Sequence, residues 1–524
     1  MPYRDTGFFS RLAIDYIDHH TDVAPFYKFS PDEKGLKQAI DERSGYPVNR
    51  PALVEALTKQ YGRLPRHSKV EENIQRLLQQ NTFTVCTAHQ PNLLTGYLYF
   101  VYKILHAIKL AEQLNEQYAD KHFVPVYYMG SEDNDIEELG TFHFRGSKYV
   151  WDGDSQGGAV GRMQTKGLKP LLHELFKWFG PPGKVCDELQ KTLTAAYLQH
   201  KTIAEATHYL VNELFGQYGL VVLNPDEATL KAAFIPVMED ELLHQRSYPI
   251  ISEQVKKLGE GYDIQAHPRQ LNLFYLSEQL RERIEKNGNK WDVLNSGKHF
   301  NKDEVLDELN EHPECFSPNV MLRGLYQETI LPNVAFIGGG AEVAYWLQLK
   351  TLFEHYKVFY PCILLRQSVL WVSAPQGQLR LQLELGVSDI FKPEQQLAIA
   401  YVSSHTSGEW KTDAETAAIE NIFQSLQKKA TDLDPTLTEG AAAALAKMKH
   451  QLRTLEKKML RAEKKKMNIP VQRIAHLKSA LFPNNSLQER VDNFMEYYLA
   501  HGNTFFETVK EGIKPLNSDF LVIE

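Results

Sequence analysis

The chain has 524 residues, of which 43% are hydrophobic and 11% aromatic, so it is long enough for roughly two to four domains or subdomains around a sizeable core. The formal net charge of −8 argues against nucleic acid as a partner of the whole surface. The four cysteines lie far apart without a C-x-x-C pair, which argues against a disulfide framework and a cysteine-rich zinc site.

The first residues, Met-Pro-Tyr-Arg-Asp, lack the charged-then-apolar pattern of a signal peptide, and no apolar run is long enough to span a bilayer. We therefore expect a cytoplasmic protein with no membrane partner. Residues 1–80 are polar and helical in character and are interrupted by prolines. We expect this segment to pack around the core without contributing chemistry.

Residues 84–103 have the pattern of a buried strand, a polar turn and an amphipathic helix. In an open α/β sheet, ligands bind where a strand ends and a helix begins, because free amides and the helix dipole favour anions. The turn residues that could bind phosphate or polarise an acyl oxygen are His89, Gln90, Asn92, Thr95 and Gly96. A polar helix cap is the alternative explanation of this turn.

A second apolar run, Phe123–Met129, follows the helix and completes a βαβ unit. Directly after it come the acidic candidates Glu132, Asp133 and Asp135, which could orient an amine, act as a base or hold Mg²⁺. Helix capping is the alternative. Because both polar clusters follow parallel strands, we expect them to meet in one crevice.

Three further buried runs, Leu220–Asn224, Val334–Ile337 and Phe359–Leu365, bring the number of parallel strands to about five. This pattern predicts an α/β fold with a Rossmann-like, doubly wound parallel sheet over residues 1–400. Two long inserts, about 140–215 and 240–320, interrupt it and predict small connecting subdomains. In the second insert, residues 281–285 (Arg-Glu-Arg-Ile-Glu) suggest a charged helix.

The Val334–Ile337 run ends in a glycine turn, where the backbone can approach a ligand closely. The binding candidates at this turn and on the helix behind it are Gly339, Gly340, Glu342, Tyr345 and Trp346. A purely steric turn is the alternative. Arg323 and Arg366 are candidate clamps for a carboxylate or phosphate, with surface ion pairs as the alternative.

Apolar residues at spacings of three and four between Ala441 and Ala462 predict a coiled-coil seam. With the helix before it and the stripe that resumes after Pro470, residues 413–482 predict an antiparallel helical hairpin. An exposed seam favours a second copy, so we expect a homodimer through the coiled coil. Residues 483–524 regain aromatic residues and are expected to return to the core.

Several of these motifs, in this order, resemble the cysteine-adding enzymes of bacillithiol biosynthesis (BshC). They are residues 87–103, 124–135, 316–323, 335–346 and 481–490. The resemblance implies a Rossmann-like core, a dimerising coiled coil and ligation of cysteine to glucosaminyl-malate. It also implies an adenine nucleotide, ATP or ADP, as activator, and it adds Tyr97, Lys103 and Asn319 as binding candidates. Mg²⁺ is left open.

The chain departs from the family pattern at two motifs. Asn134 stands where the family has a histidine in Glu-Asp-His-Asp, and Asn134 cannot act as a base. The turn reads Thr-Ala-His-Gln, with Tyr97 in place of a usual proline. These differences put a proton-transfer role of position 134 in doubt.

The resulting hypothesis is an amide-forming ligase in which His89, Gln90, Thr95 and Gly96 hold phosphate or a developing oxyanion. Glu132 or Asp135 would position or deprotonate the sugar amine, and Arg323 or Arg366 would bind the malyl carboxylates. One alternative is a nucleotidyltransferase that forms an adenylate, although the His-x-Gly-His match is partial and no Lys-Met-Ser-Lys-Ser loop occurs. A second is a non-catalytic coiled-coil scaffold.

Overall fold

The structure is a computed structural model that describes residues 1–151, 153, 157–407 and 410–524. The chain divides into two compact units, one formed by residues 1–370 with 486–523 and the other by residues 371–485 with Glu524. In the described part, no helix is long and apolar enough to cross a membrane.

The first unit is built on five strands: β1 (Thr82–His89), β2 (His122–Met129), β3 (Val221–Leu223), β4 (Asn333–Gly338) and β5 (Cys362–Leu365). All neighbouring pairs are parallel, and the order across the sheet is β5-β4-β1-β2-β3. The predicted Rossmann-like parallel sheet is therefore confirmed.

The chain builds this sheet outward from β1 in two directions. It adds β2 and β3 on one side and then crosses to add β4 and β5 on the other. Ligand sites of open parallel sheets lie at such a reversal, outside the carboxyl ends of the strands. All eight residues of β1 are buried, as expected for a central strand covered on both faces.

Helices cover both faces of the sheet, and a core cluster joins β1, β4 and β5 to the helices Glu33–Arg43 and Tyr99–Gln117. The other helices before β1 are Arg11–Ile17, Arg50–Tyr61 and Ser68–Arg76. Those between β3 and β5 are Ala228–Ala232, Ile235–His244, Ser247–Leu258, Lys302–Glu311, Val320–Ile330, Gly340–Trp346 and Lys350–Tyr356. After residue 486 the helices are Phe494–His501 and Asn503–Gly512.

The region between β2 and β3 contains a two-stranded hairpin and a group of helices. These elements are Ile136–Leu139, Thr141–Phe144, Ser147–Val150, Leu168–Phe176, Lys184–Gln199 and Ile203–Phe215.

The region between β3 and β4 contains a five-stranded antiparallel sheet. Its strands are Leu273–Leu276, Arg281–Asn287, Lys290–Val293, His299–Phe300 and Phe316–Pro318. The expected charged helix at residues 281–285 is wrong, because these residues form the strand that pairs with Leu273–Leu276 and Lys290–Val293. Strand pairing on both sides overrides the helical propensity of arginine and glutamate.

The second unit contains the helices Ala374–Gln382, Glu394–Ser404, Asp413–Leu433, Leu437–Lys466 and Asn468–Leu481. The helices Asp413–Leu433 and Leu437–Lys466 form an antiparallel hairpin. Thr431 bonds Thr438 near the turn at 2.9 Å, and Thr412 bonds Glu456 further along at 2.7 Å. Neither long helix has a single buried residue.

Candidate active site

A cavity of about 620 Å³ opens at the carboxyl edge of the parallel sheet. Residues at the ends of all five strands line it: His89 as the last residue of β1, Glu132 after β2, Pro225 after β3, Gly339 after β4 and Arg366 after β5. The cavity therefore occupies the position at which the strand order reverses, where this fold class binds ligands.

Most of the residues singled out in the sequence come together in this cavity. Those that line it are His89, Gln90, Lys103, Glu132, Asp133, Asn319, Arg323, Gly339, Gly340, Glu342, Tyr345 and Arg366. Six others are absent from its lining, namely Asn92, Thr95, Gly96, Tyr97, Asp135 and Trp346.

Several backbone amides of the turn after β1 already have partners within the protein. The amides of Leu94, Gly96 and Leu98 already donate to the Tyr197 hydroxyl, the Leu93 carbonyl and the Asp492 carbonyl, at 2.8, 2.9 and 2.7 Å. Thr95 and Gly96 have φ of 69° and 64°, and Asn92 and Thr95 are buried and do not line the cavity. Of the turn residues expected to bind an anion, only His89 and Gln90 line the cavity.

Two further candidates have structural contacts instead of a place in the cavity. The Asp135 carboxylate accepts the Glu138 amide at 3.1 Å and caps the Ile136–Leu139 helix. Trp346 is fully buried, and its ring lies 4.8 Å from that of Phe336. Acidic residues cap helices and tryptophans fill cores, which accounts for both positions without a ligand.

His89 is 9% exposed and lies beside the cavity, and its Nε2 has no hydrogen-bond partner in the described structure. Burial, with the nearby cations Lys103 and Arg366, lowers the pKa of His89 well below its usual range. The imidazole is therefore neutral at physiological pH. A neutral imidazole can donate a hydrogen bond to an oxygen that becomes negative, without adding charge to the cavity.

Glu132 belongs to a buried ion-pair network. Its carboxylate pairs with the Nζ of Lys231, which also lies 3.5 Å from Asp226 and donates to the Phe316 carbonyl at 2.9 Å. Arg162 completes the network with two bonds of 2.7 Å to Asp226. Burial raises the pKa of Glu132 despite the opposing effect of Lys231. The Lys231 ammonium occupies this carboxylate, so Glu132 would have to give up its ion pair in order to accept a proton from a substrate.

Lys103 and Glu342 form a second buried pair within the cavity wall. Lys103 also donates to the Ala88 carbonyl at 3.1 Å, and Glu342 accepts the Gly339 amide at 2.8 Å. This pair joins the helix after β1 to the turn after β4, so it stabilises the crevice between the two strands.

Arg366 is paired with a residue that the sequence did not suggest. Its NH1 and NH2 groups donate to the two carboxylate oxygens of Glu489 at 2.8 and 2.7 Å, and the side chains are 6% and 0% exposed. Asn493 in the same segment donates to the carbonyls of Leu94 and Gly96 at 2.9 and 2.6 Å. The Nε of Arg366 remains without a partner in the described structure.

Two guanidinium groups in the lining have no carboxylate within ion-pair distance in the described residues. Arg323 donates to the Tyr345 hydroxyl, and Arg490 lies over the Phe9 ring with 5.7 Å from its Cζ to the ring centroid. Both line the cavity. In the described residues neither group is held in an ion pair, so both can bind an anionic ligand without breaking one.

Several lining residues were missed in the sequence. They are Phe8, Phe9, Ser10, Glu138, Arg281 and Arg490, and Lys231 and Glu489 support the site from behind. Residues 481–490 were already noted as part of the family resemblance, so that motif was an available signal for Glu489 and Arg490. No pattern distinguished Phe8 and Phe9 from other polar-segment residues.

Nε2 of His89 and Nε of Arg366 are buried and have no hydrogen-bond partner in the described structure, which bears on whether the cavity suits a phosphate group. The residues His89 and Arg366 line the cavity together with Gln90 and Lys103, and this set of donor groups fits an anion. For a metal ion, no group of three or more His, Cys, Asp or Glu side chains in the described residues has a suitable arrangement.

Comparison with known proteins covers the whole chain. The family described as "Bacillithiol biosynthesis BshC, N-terminal Rossmann-like domain" matches residues 1–367, and "Bacillithiol biosynthesis BshC, C-terminal coiled-coil domain" matches residues 369–524. Relatives from Flavobacterium johnsoniae, Flavobacterium psychrophilum and Christiangramia forsetii are 39%, 38% and 38% identical over 99%, 100% and 99% of this chain and 98% of each relative. Each carries the name "Putative cysteine ligase BshC".

Proposed function

The chain belongs to the BshC family of bacillithiol biosynthesis and is a ligase, and on that premise we propose that it joins the cysteine carboxyl group to the amine of glucosaminyl-malate in the last step of the pathway. The observation that carries this proposal is the cavity at the strand-order reversal, where a neutral histidine lies with two guanidinium groups that have no ion pair in the described residues. A ligand with several carboxylates and an amine suits this combination.

Arg323 and Arg490 bind the carboxylates of the malyl group in this proposal. A guanidinium group binds a carboxylate through two parallel hydrogen bonds, which gives direction as well as charge. Neither group has to break an existing ion pair in order to do so. Arg366, the other arginine expected to act as a clamp, already holds Glu489 and keeps only its Nε for a ligand.

His89 stabilises the acyl oxygen of cysteine as that oxygen gains negative charge during attack by the amine. The imidazole is neutral, buried and without a protein partner at Nε2, so a hydrogen bond to the oxyanion replaces no existing contact. Preorganised donors of this kind typically contribute about 10²–10³ in rate.

A carboxylate does not react with an amine unaided, and we propose that an adenine nucleoside triphosphate supplies the activation when it is bound. Gln90, Lys103 and the Nε of Arg366 would hold its phosphate groups. In this proposal the nucleotide lies near the ends of β1, β4 and β5, and Arg323 is left for the second substrate.

We also propose that two copies associate through the helical hairpin. The helices Asp413–Leu433 and Leu437–Lys466 bury no residue, and several large apolar side chains are exposed along them. Ile422, Leu426 and Leu455 are 58%, 45% and 50% exposed. A second hairpin would bury this apolar surface, which is the usual driving force for coiled-coil association.

The test is a mass-spectrometric assay of the purified chain with cysteine and glucosaminyl-malate, with and without ATP and Mg²⁺. We expect the wild type to form the amide product and His89→Ala to form it about 10²-fold or more slowly. The exposed variant Glu116→Gln, on the helix Tyr99–Gln117, is the control and should retain full activity. Release of pyrophosphate without dependence on cysteine would instead indicate a nucleotidyltransferase.

A further inference from the structure

Four carboxylates line the cavity, and three of them are already engaged. Glu132 pairs with Lys231, and Glu342 pairs with Lys103. Asp133 accepts Gln90 Nε2 at 3.2 Å and lies 3.8 Å from Arg281. A carboxylate whose oxygens are held by a cation or by hydrogen bonds has to give up those contacts before it can accept a proton from a substrate.

Glu138 is the fourth carboxylate, and in the described residues no cation lies within ion-pair distance of it. It belongs to the short helix Ile136–Leu139, which is capped by Asp135 and follows the acidic cluster after β2. The charged and titratable groups that act on it or respond to it are Asp133, Asp135, Tyr97 and Tyr99. Its environment therefore contains acids and phenols rather than an ammonium or guanidinium group.

This environment suits proton abstraction. Burial first, and then Asp135 and Asp133, raise the pKa of Glu138 above its ordinary value. A general base works best when its pKa lies closer to the operating pH, because a more basic carboxylate drives proton transfer further. Glu138 thus differs from Glu132 in having both an accessible carboxylate and no competing cation.

We propose that Glu138 is the catalytic base that accepts a proton from the ammonium group of the acceptor substrate. One N–H bond of the ammonium breaks and its electron pair stays on nitrogen, while an O–H bond forms on the Glu138 carboxylate. The products of this step are a neutral amine, ready to attack the acyl carbon, and a neutral carboxylic acid. This assignment rests on the proposed ligase reaction and refines its acceptor side.

The experiment compares two acceptors, the glucosaminyl-malate ammonium and hydroxylamine, which is already a neutral amine at pH 7. Wild type, Glu138→Gln, Glu138→Asp and the control Glu137→Gln are assayed as full-length proteins. Glu137 and Glu138 are both exposed neighbours on the same short helix, but only Glu138 lines the cavity. The readouts are formation of the cysteine amide and of cysteine hydroxamate.

We expect the rate of amide formation from glucosaminyl-malate to fall by about 10²-fold or more in Glu138→Gln, which is the usual contribution of a general base. The rate of hydroxamate formation by the same variant should stay within a few-fold of wild type. Glu138→Asp should recover part of the amide activity, and Glu137→Gln should match wild type with both acceptors. Equal losses of Glu138→Gln with both acceptors, or no loss with either, would overturn the assignment. If the wild type forms neither product, the proposed function itself is wrong and the assignment fails with it.

Discussion

The buried pair between Arg366 and Glu489 allows a quantitative test of how the site is held together. The two side chains are 6% and 0% exposed and share two bonds of 2.7 and 2.8 Å. Replacing one partner leaves the other charge buried and unpaired. We therefore expect Arg366→Met and Glu489→Met each to reduce the free energy of unfolding by about 3–5 kcal/mol.

The double variant should behave differently from the sum of the single ones. Replacing a whole buried ion pair by apolar residues of similar size is often neutral or stabilising, so the loss in Arg366→Met/Glu489→Met should be far smaller. The coupling energy from the cycle is then about 3 kcal/mol or more.

The assay is equilibrium urea denaturation of the four proteins, followed by circular dichroism. Amide hydrogen exchange of residues 362–370 identifies whether the free energy is lost in the unit that contains β5. Single-variant losses below about 1 kcal/mol, or additive losses in the double variant, would refute the reasoning, since either result means that the charges are not buried against each other.

Three further predictions concern other parts of the molecule. Burial raises the pKa of Glu328 to about 7, so the stability that its protonated form contributes is present at pH 5 and lost as the pH rises through 7. In urea denaturation, the free energy of unfolding of Glu328→Gln should therefore gain about 2–3 kcal/mol relative to wild type between pH 5 and pH 8. The same difference between variant and wild type at both pH values would contradict this expectation. Gly96→Ala should lower the free energy of unfolding by about 1–3 kcal/mol, because residue 96 has a φ of +64° and an added Cβ would make a contact of 2.7 Å. Gly440→Ala lies in an exposed helix with open space around it and should not destabilise the protein. Leu455→Glu should shift the chain from dimer to monomer in light scattering, and a monomeric wild type would refute dimerisation.

Hydrophobic patterning was sufficient for most of the fold. The buried runs that became β1 to β5 are visible as short apolar segments, because central parallel strands are covered on both faces. The polar residues after β1 and β2 were expected to meet because parallel strands end at the same edge, and His89 and Glu132 do line one cavity. Residues 281–285 were misassigned because a half-exposed strand of charged residues lacks the apolar pattern of a core strand.

The sequence by itself determined which chemical groups are available: a histidine and glutamine after β1, carboxylates after β2, a glycine turn after β4 and an arginine after β5. Only the tertiary structure decided which of them are free to act. Lys231 binds Glu132 across 99 residues of sequence and Glu489 binds Arg366 across 123, so a predicted base and a predicted clamp are already engaged. Charge pairing and burial depend on distances between segments that are remote in sequence, and local patterns do not contain those distances.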